Sequence, residues 1–252
     1  MEYYKKLWQI ASGISEIHSV GIIHRDIKPN NMKLDPEGII KIYDFGLARS
    51  GFDAATVGFI GTQGFAAPEL FAANPTFTNA IDVYAFGATA LFLATGTLPN
   101  ELIYANGRPV SQSHFNVIPL SIETEVINTL NQCLFFSPDQ RPTISAIRDI
   151  LAKYISFDQH QALVVHRAAA SYLNATNRTI ALELHGIGRI VIEYNGSSFI
   201  ATEVNKEVFI NNKAIQPGEE LPGSCVVALG VPQRKADREF ITFDISHPEI
   251  VL

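Results

Sequence analysis

The sequence predicts an α+β chain: a mainly helical first part followed by a small antiparallel β-part. Three features carry that expectation. Leu7, Ile10, Ile14 and Ile17 recur at helical spacing near the start. Residues 79–95 are apolar on nearly every side of a helix, as a segment at the centre of a core must be. From residue 179 the period falls to two, in Ile180, Leu182 and Leu184 and again in Ile190, Ile192 and Tyr194, the alternation of half-buried strands. The 252 residues, 47% hydrophobic and 17% charged, suit one large or two small globular domains with a sizeable core. The boundaries read as 1–155 for the helical part, 156–172 for a linker or connecting helix, and 173–252 for the β-part.

In chain order, the first helix ends at Val20-Gly21, where glycine supplies a left-handed stop. Ile22-Ile23 form a short strand. Met32 to Leu34 and Ile39 to Tyr43 are two more, joined by the turn Asp35-Pro36-Glu37-Gly38. This hairpin brings Asn31 and Asp44 to one place. Residues 47–66, rich in Gly, Ala, Ser and Thr without steady period, read as a mobile loop. Asp82 at the start of the all-apolar helix is a carboxylate that needs partners if buried. Helices follow near 122–135 (Val126, Leu130, Cys133, Leu134) and 143–154 (Ile144, Ile147, Ile150, Tyr154), and residues 158–171 read as a connecting helix. In the β-part, Asn195-Gly196 is a two-residue hairpin turn, and strands recur around Phe199, Val208 to Ile210, Val226 to Leu229 and Ile241 to Ile245. Ile192, Phe209, Leu229 and Phe243 are its expected core.

Composition narrows the function. The net charge is −6 and no basic stripe appears, which argues against nucleic acid as a partner. The two cysteines, Cys133 and Cys225, lie far apart and read as buried, reduced thiols; no Cys/His spacing suggests zinc. The longest apolar run, Val83 to Ala94, is shorter than the roughly 18 residues of a membrane span, and the N-terminal helix is amphipathic rather than a signal segment. A cytoplasmic protein away from membranes is the expectation. The sequons at Asn174, Asn177 and Asn195 then carry no glycan.

The chemistry concentrates in His24-Arg25-Asp26-Ile27-Lys28-Pro29-Asn30-Asn31, Asp44-Phe45-Gly46, Ala67-Pro68-Glu69 and Arg141-Pro142-Thr143, in that order. These motifs and their spacing resemble the Ser/Thr protein kinase family over residues 2–154, its helical C-lobe. The resemblance implies transfer of the ATP γ-phosphoryl group to Ser or Thr hydroxyls of a protein substrate, with ATP and Mg²⁺ as cofactors. It implies Asp26 as the group that orients the substrate hydroxyl, Lys28 as the neutraliser of the travelling phosphoryl, and Thr62 as the bridge between them. Asn31 and Asp44 supply hard oxygen ligands that suit Mg²⁺. By the same resemblance His24 and Phe45 are apolar spine contacts, Gly46 completes the metal-binding tripeptide, Asp82 binds the catalytic-loop backbone, and Glu69 pairs with Arg141. Arg25 would receive a phosphate carried by Thr56 or Ser50.

The family's Gly-rich loop and phosphate-gripping lysine find no counterpart in the sequence. His185-Gly186-Ile187-Gly188 gives G-x-G, with valine where the last glycine belongs. The expectation is therefore a C-lobe without its N-lobe, inactive alone and complemented by an N-lobe-supplying partner or by dimerisation. The alternative is a pseudokinase scaffold that docks a partner protein. Residues 208–230, from Val208-Phe209-Ile210-Asn211-Asn212-Lys213 through Pro217-Gly218-Glu219 to Val226-Val227-Ala228-Leu229-Gly230, resemble the second half of a forkhead-associated domain. That family's phosphate-reading S-R-x-H motif is missing here, so tight phosphothreonine binding is not expected.

Overall fold

In the computed structural model of the chain the described residues are 1–47, 49, 50, 61–246, 248 and 250, with only the backbone described at 47, 49 and 50. The chain divides into two compact units between Ile155 and Ser156.

The first unit begins with α1 (Glu2–Ser19), which buries Tyr4, Leu7, Ile10, Ala11 and Ile14 along one face. Gly21, at φ 74°, turns the chain out of the helix, its N–H donating to His18 O. Strand β1 (Ile22–Ile23) follows. Strands β2 (Met32–Leu34) and β3 (Ile40–Ile42) form an antiparallel hairpin with Lys33 opposite Lys41. Strand β4 (Arg49–Ser50) pairs with β1. This corrects the expectation of loop throughout 47–66: two residues find backbone partners in β1, a pairing set by distant sequence that local composition cannot reveal.

Helix α2 (Ala80–Thr95) is buried continuously from Ile81 to Leu91 and stops at Gly96, left-handed at φ 78°. The short α3 (Asn100–Ile103) follows, α4 (Thr124–Cys133) packs against α2, and α5 (Ile144–Ile155) packs against α1. Gly87 lets α4 come close: a Cβ there would lie 2.6 Å from Cys133 Cβ and 3.1 Å from a Leu134 methyl. Each amphipathic helix turns its apolar stripe inward, Val126 and Leu130 from α4, Ile144, Ile147 and Leu151 from α5.

The second unit is antiparallel β. Its strands are β5 (Gln161–His166), β6 (Ala169–Leu173), β7 (Thr179–Leu184), β8 (Gly188–Tyr194), β9 (Phe199–Lys206), β10 (Val208–Ile210), β11 (Lys213–Ala214), β12 (Cys225–Leu229) and β13 (Glu239–Ser246). One sheet has the order β11-β10-β12-β13-β5-β6, the other β7-β8-β9. One cluster of buried side chains forms its core; Tyr194 stacks on Phe199 at 4.8 Å, and Phe243 meets Phe199 edge-on at 5.4 Å.

Two expectations fail here. Residues 158–171 form no connecting helix. Ala162 and Val164 alternate inward along β5, and Arg167 and Ala168, both left-handed (φ 48° and 66°), turn the chain straight back into β6. The β-structure thus starts at Gln161, ahead of the expected 173. Phe209 is not a core residue: its neighbours Val208 and Ile210 are buried at 2% and 6%, so the period of two turns Phe209 to the other face. Ile192, Leu229 and Phe243 are fully buried.

Candidate active site

The site is assembled from the segment after β1, the hairpin β2–β3 and the residues around Thr62. Lys28 Nζ donates to Asp26 Oδ2 and to Thr62 Oγ1, both at 2.7 Å. The Thr62 hydroxyl in turn donates to Asp26 Oδ1 at 2.8 Å. The three side chains close a ring. Asn31 adds a fourth member, its Nδ2 donating to Asp26 Oδ2 at 2.9 Å and to the Asp26 carbonyl at 2.8 Å. The Asp26 side chain is 10% exposed. Burial pushes its carboxyl up, but the hydrogen bonds of Lys28, Thr62 and Asn31 and the Lys28 charge outweigh this and hold it below the usual carboxylate range. The result is an ionised carboxylate fixed in one orientation by donors on both oxygens.

Its backbone is held from beneath by Asp82. This carboxylate is fully buried and accepts from His24 N–H and Arg25 N–H, both at 2.8 Å, and from His18 Nε2 at 2.9 Å. Three donors compensate the burial of the charge. His24 is also buried; its Nε2 faces Tyr43 O at 3.2 Å while Asp26 N–H donates to Nδ1 at 3.3 Å. A carbonyl only accepts, so these partners fix the Nε2–H tautomer. Arg25 takes φ 70° and lays its guanidinium over the Phe77 ring at 4.0 Å.

Asp44 sits at the far end of the hairpin, tied to the Asn31 side by the Tyr43 N–H bond to Asn31 O at 3.0 Å. It is exposed, at φ 68°, and its Oδ1 accepts from Gly46 N–H at 3.3 Å. Phe45 touches His24 at 4.9 Å between centroids and leaves 47% of its surface exposed, whereas His24 leaves none. Among the described residues no group of three or more His, Cys, Asp or Glu could hold a metal. The Asn31–Asp44 pair is a different kind of set. Asn31 Nδ2 is committed to Asp26, which leaves its amide oxygen as an acceptor, and Asp44 is an exposed carboxylate; both are hard oxygen donors of the sort Mg²⁺ accepts when phosphates and water complete its shell.

Away from the reacting end, Glu69 and Arg141 form a bidentate pair at 2.7 and 2.8 Å. Arg141 also donates to the carbonyls of Phe135, Ala80 and Phe136, so all five of its N–H groups are engaged. Thr56 lies outside the described residues, and of Ser50 only the backbone, paired with Ile22, is described. Sequence reasoning missed His18. The signal was present: it stands four residues beyond Ile14 on the buried stripe of α1, where a polar side chain needs a partner.

The family profile described as "Protein kinase domain" matches residues 2–153. Serine/threonine/tyrosine-protein kinase HT1 of Arabidopsis thaliana is 32% identical over 154 residues, covering 58% of this chain and 38% of that protein. Cyclin-dependent kinase-like 2 of Homo sapiens is 30% identical over 172 residues, 55% of this chain and 35% of its own length. Mitogen-activated protein kinase kinase kinase 3 of Arabidopsis thaliana is 32% identical over 143 residues, with 55% and 24% covered. The chain thus spans well under half of these relatives.

Proposed function

The chain belongs to the protein kinase domain family, and from that premise we propose that the Asp26 site transfers the γ-phosphoryl group of ATP to Ser or Thr hydroxyls of a protein substrate. The observation that carries this reading is the closed Asp26–Lys28–Thr62 ring with Asn31 behind it. Asp26, ionised and oriented, accepts or aligns the proton of the incoming hydroxyl. Lys28 stands beside it as the positive charge that meets the developing phosphoryl oxygens. Thr62 keeps the two in register. Asn31 and Asp44 would hold Mg²⁺, which when bound neutralises the phosphate chain. Phosphoryl transfer asks a protein mainly for positioning and charge, and these residues supply both on one side of the reacting group.

The other side of the phosphates is supplied in this family by an N-lobe, so turnover by residues 1–252 alone should be at trace level, and an N-lobe added in trans or in cis should restore it. A radiolabelled ATP assay on a serine peptide, with and without that segment, is the test. Asp26→Asn should lower the restored rate by at least about 10²-fold. Robust Asp26-dependent turnover without the segment overturns the need for it; no turnover under any complementation favours the second reading, a scaffold that docks a partner protein. The half-exposed Phe45 and the 62% exposed Leu34 are the observations on that side. For the second unit we propose a forkhead-associated-like sandwich that does not read phosphothreonine. The two antiparallel sheets support the architecture, and the missing S-R-x-H motif supports the lost specificity.

A further inference from the structure

The hairpin that joins Asn31 to Asp44 carries an unusual face. Lys33 and Lys41 stand directly opposite each other on β2 and β3, and Tyr43 follows Lys41 on the same side. Like charges directly opposed across a strand pair are destabilising. Each is offset only in part: Lys41 lies 3.4 Å from an Asp35 oxygen, and Lys33 rests its ammonium over the Tyr43 ring at 5.1 Å. Among the described residues Lys33 has no carboxylate within ion-pair distance. The apolar residues of the hairpin, Met32 and Leu34, Ile40 and Ile42, alternate onto the opposite face. Lys33 follows Asn31 by two residues and Lys41 precedes Asp44 by three, a reach of roughly 7–10 Å at about 3.3 Å per residue.

We propose that the Lys33–Lys41–Tyr43 face is a polyphosphate-binding platform, so that the site holds its ligand by the phosphate chain rather than by the base. The proposal rests on the reading of Asn31 and Asp44 as metal-phosphate ligands and adds which end of the ligand is recognised. A neutral base seeks an apolar surface; this face instead presents the Lys33 ammonium over a ring and the Lys41 ammonium, 62% exposed and 3.4 Å from one Asp35 oxygen. A phosphate chain neutralises both at once and removes their repulsion. The same chemistry could come from a nucleoside triphosphate or from inorganic polyphosphate.

The test is titration calorimetry of the full chain with the Mg²⁺ complexes of ATP, GTP and inorganic tripolyphosphate. The three dissociation constants should agree within about threefold, and Lys33→Met should weaken all three by about tenfold, the loss of one charge-assisted contact. Lys213→Met, which removes an equal charge from the second unit, should change nothing. ATP binding at least tenfold tighter than tripolyphosphate overturns the proposal, as does unaltered binding in Lys33→Met or the absence of binding by all three. The kinase reading is judged separately, by transfer to a serine peptide in the presence of an N-lobe. Base-selective binding would therefore sink the platform alone, whereas tripolyphosphate binding that survives Asp44→Asn would sink the metal assignment and leave the platform standing.

Discussion

Asp26 is the residue whose ionisation the site controls most closely. Its folded pKa lies below its unfolded one, so the stability it contributes is present above the ordinary carboxylate range and is lost as the pH falls through the depressed value. Removing the Lys28 ammonium leaves burial less opposed. In Lys28→Met, carboxyl-carbon NMR should therefore show the Asp26 pKa displaced upward; an unchanged value would mean Lys28 is not what holds it down. Arg141 tests the scaffold. Its side chain is fully buried with five donors engaged, while Arg148 is 32% exposed beside Asp149. Arg141→Ala strands the Glu69 carboxylate and should cost about 3–5 kcal/mol in urea unfolding, against less than about 1 kcal/mol for Arg148→Ala. The Asp26–Lys28 and Glu69–Arg141 partners were expected from the resemblance to the kinase motifs. His18 was legible only as a polar residue on a buried stripe; its partner, Asp82, is fixed by how α1 packs on α2.

At the scale of elements, glycines mark where packing and turns are tight. Gly87→Ala should force α2 and α4 apart and cost roughly 1–3 kcal/mol, read as a lowered urea midpoint with unchanged slope. Ala168 runs the other way: it occupies a left-handed turn position that glycine adopts freely. Ala168→Gly should raise the stability of the β-unit by about 0.5–1 kcal/mol in thermal melts. That turn also explains why β5 and β6 escaped a reading from sequence. Arg167-Ala168 carries none of the Asn or Gly that announces a tight hairpin, and Ala169-Ala170 favours helix by intrinsic propensity; pairing with β5 and the burial of Leu173 override it. Asn195-Gly196 announced a turn but not its length: Tyr194 pairs with Phe199, so Asn195–Ser198 form a four-residue loop where a two-residue hairpin was expected. Helices α1, α2, α4 and α5 were legible because each carries a strong period or a long apolar run, while β4 consists of two residues and exists only through β1.

For the whole molecule, two cores that share no buried cluster should melt as two cooperative steps. Calorimetry should resolve two transitions, and residues 156–252 expressed alone should retain the higher or lower of them unchanged; a single transition, or an unfolded fragment, would contradict the division at Ile155. Helical patterning followed by strand alternation pointed to two parts in the sequence; the strands begin at Gln161 where they were expected only from 173. Arg25 and Asp44, both non-glycine residues at φ near 70°, hold strained backbone on either side of Asp26. Directed evolution for heat resistance alone, with no demand for phosphoryl transfer, would see that strain as a defect and drift toward glycine at 44. A library enriched for Asp44→Gly after thermal challenge, but purged of it once turnover is also demanded, would show this protein trading durability for reactivity at a single dihedral angle.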